Sequence, residues 1–294
     1  MVDIAVLGTI GLDTLKTPFG KVADTLGGSA VYAAYAASFF AKPGIISVKG
    51  SDLSENRLDF LKEKGISLEG VKTEGKNFRW SGEYEFDMNE AKTLKTELNS
   101  LENFNPKVPE SYKKAKYLFL ANVDPEIQLK TINSMNSPEL IIMDTMNLWI
   151  ENKKKELLET VKKSDILILN DAEARQLFET PNLVKAGKKG LSIGPEAVII
   201  KKGEHGSLLF TDSSVFSCPG YPLENLVDPT GCGDSFGGAL IGHYSKTGNI
   251  RKAMVYGAVI ASFNAEDFGL NSLKKVTEEN IEERFKELAA LSKF

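Results

Sequence analysis

Short apolar runs alternate with amphipathic stretches along most of the 294 residues of this chain. Several of the runs are continuously apolar, such as IIM at 141–143 and ILIL at 166–169. Strands have this character where helices cover both faces of their sheet. The strands that the pattern predicts are Asp3–Gly8, Gly44–Val48, Tyr117–Ala121, Leu140–Asp144, Ile166–Asn170, Ala197–Lys201 and Ser207–Thr211.

Amphipathic segments predict helices between these strands and after them. The predicted helices are Ser54–Lys64, Pro125–Met135, Glu151–Lys163, Asp171–Phe178, Leu183–Leu191, Gly233–Lys246, Asn249–Asn264 and Thr277–Leu291. An alanine-rich stretch after Gly28 indicates one more helix, packed closely on the sheet. The repeated strand–helix alternation favours a doubly wound, mostly parallel α/β sheet flanked by helices, and we predict a single domain over residues 1–294.

The segment Phe78–Met88 follows a different period. Apolar or small side chains alternate strictly with polar ones there, which predicts a strand or hairpin with one apolar face. Such a face can be buried over a ligand cleft, against a second subunit, or simply on its own domain. The positions on the apolar side are Phe78, Trp80, Gly82, Tyr84, Phe86 and Met88.

Composition narrows the classes of function. Lys and Arg total 36 against 40 Asp and Glu, and this net charge of −4 argues against a nucleic-acid partner. The two cysteines, Cys218 and Cys232, lack the spacing of a zinc site and fit a reducing compartment. Because we find neither a signal-peptide pattern nor an apolar stretch of membrane-spanning length, we expect a cytoplasmic protein without membrane contact.

The run DPTGCGD at 228–234 carries the strongest chemical signal. Its glycines permit close approach, and a long helix is predicted to begin at Gly233, so the N–H groups of Gly231, Cys232 and Gly233 would converge at a helix N-terminus. Such an end binds anions, as phosphoryl transfer requires. Asp234 would then be the general base, or alternatively an ordinary acid in the first turn of the helix.

Asp13, just after the first strand, is a candidate acceptor for substrate hydroxyls at the carboxyl edge of the sheet, or a turn cap.

The DPTGCGD run resembles the C-terminal signature of the ribokinase/PfkB carbohydrate kinases, D-T-x-G-A-G-D. The resemblance covers essentially the whole chain, because weaker motifs follow in the order of that family. These are Gly8 followed by Asp13, the diglycine Gly27-Gly28, the N-x-x-E motif of Asn170 to Glu173, and Lys201-Lys-Gly203-Glu-His-Gly206, which is similar to T-x-G-x-x-G.

This resemblance implies a ribokinase-like fold with a small β lid, for which we expect elements around residues 9–26 and 72–100. It implies ATP and Mg²⁺ as cofactors, with Glu173 acting on Mg²⁺ indirectly. Many members also hold K⁺ or another monovalent cation, here near Asp228 and Thr230. Lids of this kind also form dimer interfaces, so a homodimer through the lid is expected.

The candidate site residues fall into three groups. The catalytic group is Asp234 with Gly231, Cys232 and Gly233. The substrate-binding group is Asp13, Gly27, Gly28, Tyr32, Arg79 and Trp80. The nucleotide-binding group is Asn170, Glu173, Lys201, Gly203, Gly206, Ala258 and Ala261.

Departures from the family pattern bear on the substrate. Tyr32 stands where sugar kinases commonly carry an asparagine, and Phe78, Trp80 and Tyr84 add aromatic surface. We therefore favour an ATP-dependent kinase that phosphorylates the 5′-hydroxyl of a nucleoside, with a free pentose or hexose as the alternative substrate. A non-catalytic sugar or nucleoside sensor is a remote alternative, because it would be expected to lose Asp234. A P-loop kinase is disfavoured because the string GxxxxGK[ST] does not occur.

Overall fold

A large twisted sheet forms the centre of the molecule in the computed structural model, which describes residues 2–291. In chain order the strands are β1 (Ile4–Leu7), β2 (Gly11–Thr17), β3 (Gly20–Gly27), β4 (Pro43–Lys49), β5 (Ser67–Thr73), β6 (Phe78–Tyr84), β7 (Ala91–Glu97), β8 (Tyr117–Leu120), β9 (Leu140–Met143), β10 (Ile166–Asn170), β11 (Ala197–Lys201), β12 (Ser207–Thr211) and β13 (Val215–Cys218).

Nine of these strands form the large sheet, in the order β13-β12-β11-β10-β9-β8-β1-β4-β5. The pairs from β11 to β5 are parallel, and only β12 and β13 run antiparallel to their neighbours. The seven strands predicted from apolar runs are all in this sheet. The mostly parallel α/β fold class is therefore confirmed.

The helices lie on both faces of the large sheet. They are α1 (Ser29–Ala37), α2 (Asp59–Glu63), α3 (Glu110–Lys113), α4 (Pro125–Ser134), α5 (Asn147–Asn152), α6 (Lys154–Val161), α7 (Asp171–Phe178), α8 (Leu183–Leu191), α9 (Cys232–Thr247), α10 (Ile250–Asn264) and α11 (Glu278–Ala290). Two hydrophobic clusters, one on each side of the sheet, bury every position of β1, β4 and β9. Burial on both faces explains why β1 and β9 are continuously apolar.

Helix α1 packs on β1 and β4 of the large sheet and against α9, and all nine of its residues are buried. Its alanines allow this, and a Cβ atom at Gly238 of α9 would collide with the backbone of Ala33. The close packing predicted for the alanine-rich stretch is confirmed. It brings the start of α9 against the sheet edge where β1 ends.

Two predicted helices differ in the structure. The helix predicted over Glu151–Lys163 is two helices, α5 and α6, which meet at Lys153, where the backbone is not helical (φ −140°, ψ 37°). The side chain of Lys153 forms an ion pair with Asp124 at 2.7 Å. The helix predicted over Ser54–Lys64 is reduced to α2, preceded by a short 3₁₀ turn at Glu55–Leu58.

A second, smaller sheet has the order β3-β2-β6-β7 and is called here the small sheet. Its strands come from residues 11–27 and 78–97, and β2 and β6 pair in parallel. The predicted Phe78–Met88 strand is wrong at its end, because β6 stops at Tyr84 and a turn follows, with Met88 at φ 53°. Phe86, predicted on the buried face, is 90% exposed in that turn.

No helix among residues 2–291 combines the length and apolar character needed to cross a lipid bilayer.

Candidate active site

The predicted anion-binding turn, at the N-terminus of α9, lies at the carboxyl edge of the large sheet. Gly231 adopts a left-handed conformation (φ 77°), and a Cβ atom there would lie 2.5 Å from the ring of Tyr32. Within residues 2–291, no hydrogen bond is made by the backbone N–H groups of Gly231, Gly233 and Asp234. They are therefore available to an anion, which the helix dipole also favours.

The structure differs from the sequence prediction at Cys232. Its N–H group was expected to be free, but it donates to the carbonyl oxygen of Pro229 at 3.1 Å. This bond closes the turn through which the chain enters α9. Burial is the first cause that raises the pKa of its thiol to about 12, so the thiol stays neutral near pH 7.

Asp234 extends from the first turn of α9 and is partly exposed. Its carboxylate makes no hydrogen bond within residues 2–291, so both oxygens can accept a proton. Burial, with a further contribution from Asp144, raises the pKa of Asp234 to about 7, while Lys201 opposes the shift. A carboxyl group that titrates near neutral pH suits general base catalysis.

Lys201, at the end of β11, lies directly beside this turn. Its Nζ is 2.6 Å from Asp144 Oδ2 and would be 3.0 Å from a Cβ atom at Gly233. Burial opposes its charge, but Asp144, Glu173 and Asp234 outweigh burial, so its pKa is raised and it stays protonated. The predicted nucleotide-binding lysine is thus adjacent to the anion-binding turn.

Asp144 is a site residue to which the sequence prediction gave no role. It follows β9 at the carboxyl edge of the sheet, the edge where α/β proteins bind ligands. That position, at the end of the predicted strand Leu140–Asp144, was the available signal.

The N-x-x-E motif forms a helix capping box at the start of α7. The Asn170 side chain accepts from the N–H of Glu173 at 2.8 Å, and the Glu173 carboxylate accepts from the N–H of Asn170 at 2.7 Å. Burial is the main cause that raises the pKa of Glu173, which also faces Lys201 and Asp144. The motif therefore holds a second buried carboxylate beside Lys201.

Asp13 lies across from Asp234, in β2 of the small sheet. It is 4% exposed and, within residues 2–291, its carboxylate has no hydrogen-bond partner. A Cβ atom at Gly27 would collide with Asp13 Oδ2, so glycine is what makes room for this carboxylate. Burial, then Asp228 and Asp234, raise the pKa of Asp13 to about 7. A buried, unpartnered carboxylate is suited to accept the hydroxyl protons of a ligand.

Gly28 adopts φ 101°, and a Cβ atom there would lie 2.5 Å from the carbonyl oxygen of Thr9. It turns the chain from β3 into α1.

Two predicted substrate residues are not at this surface. Tyr32 is 1% exposed and its ring lies behind Gly231, with a buried hydroxyl that has no partner within residues 2–291. Arg79 is paired with Asp24 and Asp52, and alternation along β6 directs it to the face opposite Trp80. The structure therefore places Tyr32 as a support for the turn and Arg79 away from Asp13.

Trp80 is on the same face of the small sheet as Asp13, because the two are register partners in parallel strands. Its indole N–H donates to the Thr93 hydroxyl at 3.2 Å, and the ring covers Gly82. The aromatic face of β6 thus borders the space in front of Asp13.

The small sheet and the turn after β6 also contact the loops beside Asp234 and Lys201. The Thr230 hydroxyl donates to the Tyr84 hydroxyl at 3.3 Å, which links β6 to the loop that enters α9. A Cβ atom at Gly203 would lie 2.6 Å from Asn89 Oδ1, so the turn after β6 reaches the loop after β11. Sequence patterns could not reveal these contacts, since they join segments more than 100 residues apart.

The predicted nucleotide-binding residues border the same region. Gly203 and Gly206 have positive φ angles of 56° and 77° in the loop after β11. Ala258 and Ala261 are half-buried on one side of α10, while most of that helix is buried. The Cys232 thiol donates to the carbonyl oxygen of Ala261 at 3.4 Å, so this side of α10 adjoins the anion-binding turn.

Asp228 is fully buried and accepts hydrogen bonds from the N–H groups of Thr230 at 2.9 Å and Gly269 at 3.2 Å. Within residues 2–291 it has no ion-pair partner. Burial raises its pKa. A buried carboxylate without a cation fits the expected monovalent-cation site.

The described residues do not form a direct binding site for Mg²⁺. Among residues 2–291, no three His, Cys, Asp or Glu side chains are arranged to hold a metal ion. Mg²⁺ usually keeps several waters and binds mainly through substrate phosphates. The carboxylates of Glu173 and Asp144 fit such an indirect role.

The doubly wound large sheet with its small second sheet is the fold of the ribokinase-like α/β class. The chain belongs to the pfkB family of carbohydrate kinases, which its residues 8–276 match. It is an ATP-dependent kinase, as the sequence predicted.

The chain is 29% identical to the cytidine kinase of Thermococcus kodakarensis over 253 residues, which are 84% of this chain and 90% of that protein. Its structure is similar to that of the Methanocaldococcus jannaschii nucleoside kinase, an archaeal member of the ribokinase family (TM-score 0.79, 21% identity, 98% and 99% of the two chains). It is also similar to Burkholderia thailandensis nucleoside kinase in complex with ADP-inosine (TM-score 0.79, 17% identity, 98% and 96% of the chains).

Proposed function

We propose that this kinase transfers the γ-phosphoryl group of ATP to the 5′-hydroxyl of a nucleoside. The observation that carries the proposal is a pair of carboxylates without hydrogen-bond partners, Asp13 and Asp234, which are close enough for the charge of Asp234 to add to burial in raising the pKa of Asp13. We place the substrate in the space in front of these two carboxylates. The N–H groups at the start of α9 border that space. The cytidine kinase and nucleoside kinases to which the chain is similar support the choice of substrate.

The two carboxylates would act in different ways. Asp13 accepts hydrogen bonds from hydroxyl groups of the sugar and so positions the substrate. Asp234 accepts the proton of the attacking hydroxyl as the new bond between that oxygen and the γ-phosphorus forms and the bond to the β–γ bridging oxygen breaks. The proton ends on Asp234 and the bridging oxygen leaves with ADP.

The transferring group carries negative charge that the protein must stabilise. The N–H groups of Gly231, Gly233 and Asp234 would donate to its oxygens, and Lys201 places a positive charge beside them. Mg²⁺, when bound with ATP, supplies further positive charge to the phosphates. Glu173 and Asp144 would orient the waters around Mg²⁺. A monovalent cation such as K⁺ would compensate the buried charge of Asp228, next to Thr230.

The small sheet would act as a lid over this space. Its contacts through Tyr84 and Asn89 support that role, because they connect it to both loops of the phosphate side. Closure excludes water and so limits hydrolysis of ATP.

A free pentose or hexose remains the second candidate substrate. Asp13 and Gly27 would bind the hydroxyls of a sugar as well as those of a nucleoside. Trp80 favours the nucleoside, since its indole lies on the same face as Asp13 and offers a surface for a base.

A coupled assay of ADP release with MgATP tests the proposal over nucleosides, pentoses and hexoses. We expect turnover with a nucleoside and a loss of about 10³-fold in kcat for Asp234→Asn. Glu278→Gln is the matched control, because it also removes a first-turn acid, from α11. Turnover of sugars alone would contradict the nucleoside substrate, and an Asp234→Asn rate within tenfold of wild type would contradict the general base.

We also propose that the protein is a homodimer through the small sheet. Three apolar side chains in its strands and connecting turns are exposed, Phe86 at 90% in the turn after β6, Phe19 at 61% between β2 and β3, and Leu94 at 55% in β7, which supports an apolar contact there. Sedimentation of Phe86→Ser should give more monomer than Leu291→Ser, which removes a similarly exposed apolar side chain outside the small sheet. Equal sedimentation of the two variants would exclude this interface.

A further inference from the structure

A cavity of about 310 Å³ lies outside the space between Asp13 and Asp234, at the free edge of β3. It is lined by β3, by the 3₁₀ turn before α2, and by the segment after α10. The side chains that the argument uses are Thr25, Asn56, Arg57, Phe60, Asn271 and Lys274. Polar donors therefore surround a space large enough for a small ligand.

Two cations, Arg57 and Lys274, line this cavity. The Lys274 ammonium group lies 3.8 Å from the centre of the Phe60 ring, and its pKa is lowered by burial and by Arg57. Arg57 donates one hydrogen bond, at 2.6 Å, to the backbone carbonyl of Asp24. Neither cation has a carboxylate partner within residues 2–291.

Most of the neighbouring carboxylates are engaged with other cations. Those on the same segments pair as Asp24 with Arg79, Glu55 with Lys49, Asp59 with Lys62, Glu266 with Arg284 and Asp267 with Lys275. The protein thus brings two positive charges together and supplies no anion to neutralise them. Holding two like charges close together costs free energy unless an anion joins them.

We propose that this cavity binds the phosphate group of a small phosphate monoester between Arg57 and Lys274. A monoester carries close to two negative charges near pH 7, which matches the two cations. The guanidinium group of Arg57 suits bidentate contact with phosphate oxygens, and the amides of Asn56 and Asn271 add neutral donors. The volume exceeds that of the phosphate alone, which leaves room for the group esterified to it.

Residues that line the cavity also contact the residues around Asp13 and Asp228. Thr25 is the register partner of Asp13, and its hydroxyl would lie 3.1 Å from a Cβ atom at Gly269. The N–H of Gly269 is bonded to Asp228 in turn. A bound anion would therefore order residues 268–275 next to the loop that enters α9.

Isothermal titration of the full chain tests the proposal with two probes, inorganic phosphate and ribose 5-phosphate. Lys274→Ala removes one cation of the cavity, and Lys275→Ala is the matched control, since that lysine is adjacent, exposed and paired with Asp267. We expect Lys274→Ala to weaken binding at least about tenfold relative to Lys275→Ala. Lys274→Gln serves as a second variant with a longer side chain.

Hydrogen exchange locates the ligand. The tighter probe should protect residues 268–275 in Lys275→Ala and not in Lys274→Ala. The probe that binds more tightly identifies the source of the phosphate, free or esterified. Affinities within about twofold for the two variants, no binding to the wild-type chain, or protection confined to the loop at 228–234 would each overturn the proposal.

Discussion

Replacing Asp13 by Asn should stabilise the folded protein above neutral pH, and it should lower kcat/KM for the phosphoryl acceptor. The carboxylate is 4% exposed and has no hydrogen-bond partner within residues 2–291. Burial first, and then Asp228 and Asp234, raise its pKa from 3.8 to about 7. Because the folded protein binds this proton more tightly than the unfolded chain, the contribution of Asp13 to stability is greatest below about pH 4 and is lost as pH rises through about 7.

The size of the effect follows from that shift. About three pKa units, at about 1.4 kcal/mol each, set an upper limit of about 4 kcal/mol on the cost of ionised Asp13 at pH 8. An asparagine removes the charge but leaves a buried amide without partners, which costs about 1–3 kcal/mol. We therefore expect Asp13→Asn to gain about 1–3 kcal/mol in the free energy of unfolding at pH 8.

Urea unfolding at pH 8 and pH 5, without ligands, measures this gain. The gain should shrink at pH 5, where most Asp13 in the folded protein is already protonated. Asp59→Asn is the control, because that exposed carboxylate is paired with Lys62 and should show no gain. In the same protein, kcat/KM for the phosphoryl acceptor should fall by at least about 100-fold, since a charged acceptor for its hydroxyls is lost.

Two results would refute the reasoning. A variant less stable than wild type at pH 8 would mean that the carboxylate is stabilised by contacts that the structure does not contain. A gain of the same size at pH 5 and pH 8 would mean that the effect has no electrostatic origin.

Other predictions concern neighbouring parts of the site. Tyr84→Phe should lower kcat about three- to tenfold, the value of one hydrogen bond to Thr230, and an unchanged kcat would contradict a role for that contact. Cys232→Ala should change kcat less than about threefold, because its thiol is neutral and buried; a collapse in rate would indicate thiol chemistry. Trp80→Ala should raise KM for the acceptor up to about tenfold and more than KM for ATP, and the opposite order would place the indole elsewhere. The value of kcat/KM should rise from pH 6 to pH 8 with a midpoint near 7, as Asp234 ionises, whereas a flat profile would contradict its role as base.

The central strands could be predicted from the chain alone because each is buried on both faces. Such burial makes β1, β8 and β9, and all but the last residue of β10 and β11, continuously apolar, which is the pattern expected of strands covered by helices on both faces. The two strands of the large sheet that escaped prediction, β5 and β13, lie at its two edges, where exposed positions interrupt the pattern. Local order also sufficed for the start of α9, since Gly231 and the acid in the first turn are neighbours in the chain.

The partners of each side chain depend on distances that only folding brings about. Asp144 meets Lys201 across 57 positions, and Tyr84 meets Thr230 across 146. The capping box with Asn170 gives Glu173 a structural role within its own helix. Its raised pKa, however, comes from burial beside residues of other strands. Arg79 and Tyr32 show the same limit, because their types suit a ligand but their neighbours in space hold them elsewhere. The charge state, the burial and the unpaired hydrogen-bonding groups of a side chain depend on the packed molecule. They decide which of the residues near a motif can perform the chemistry.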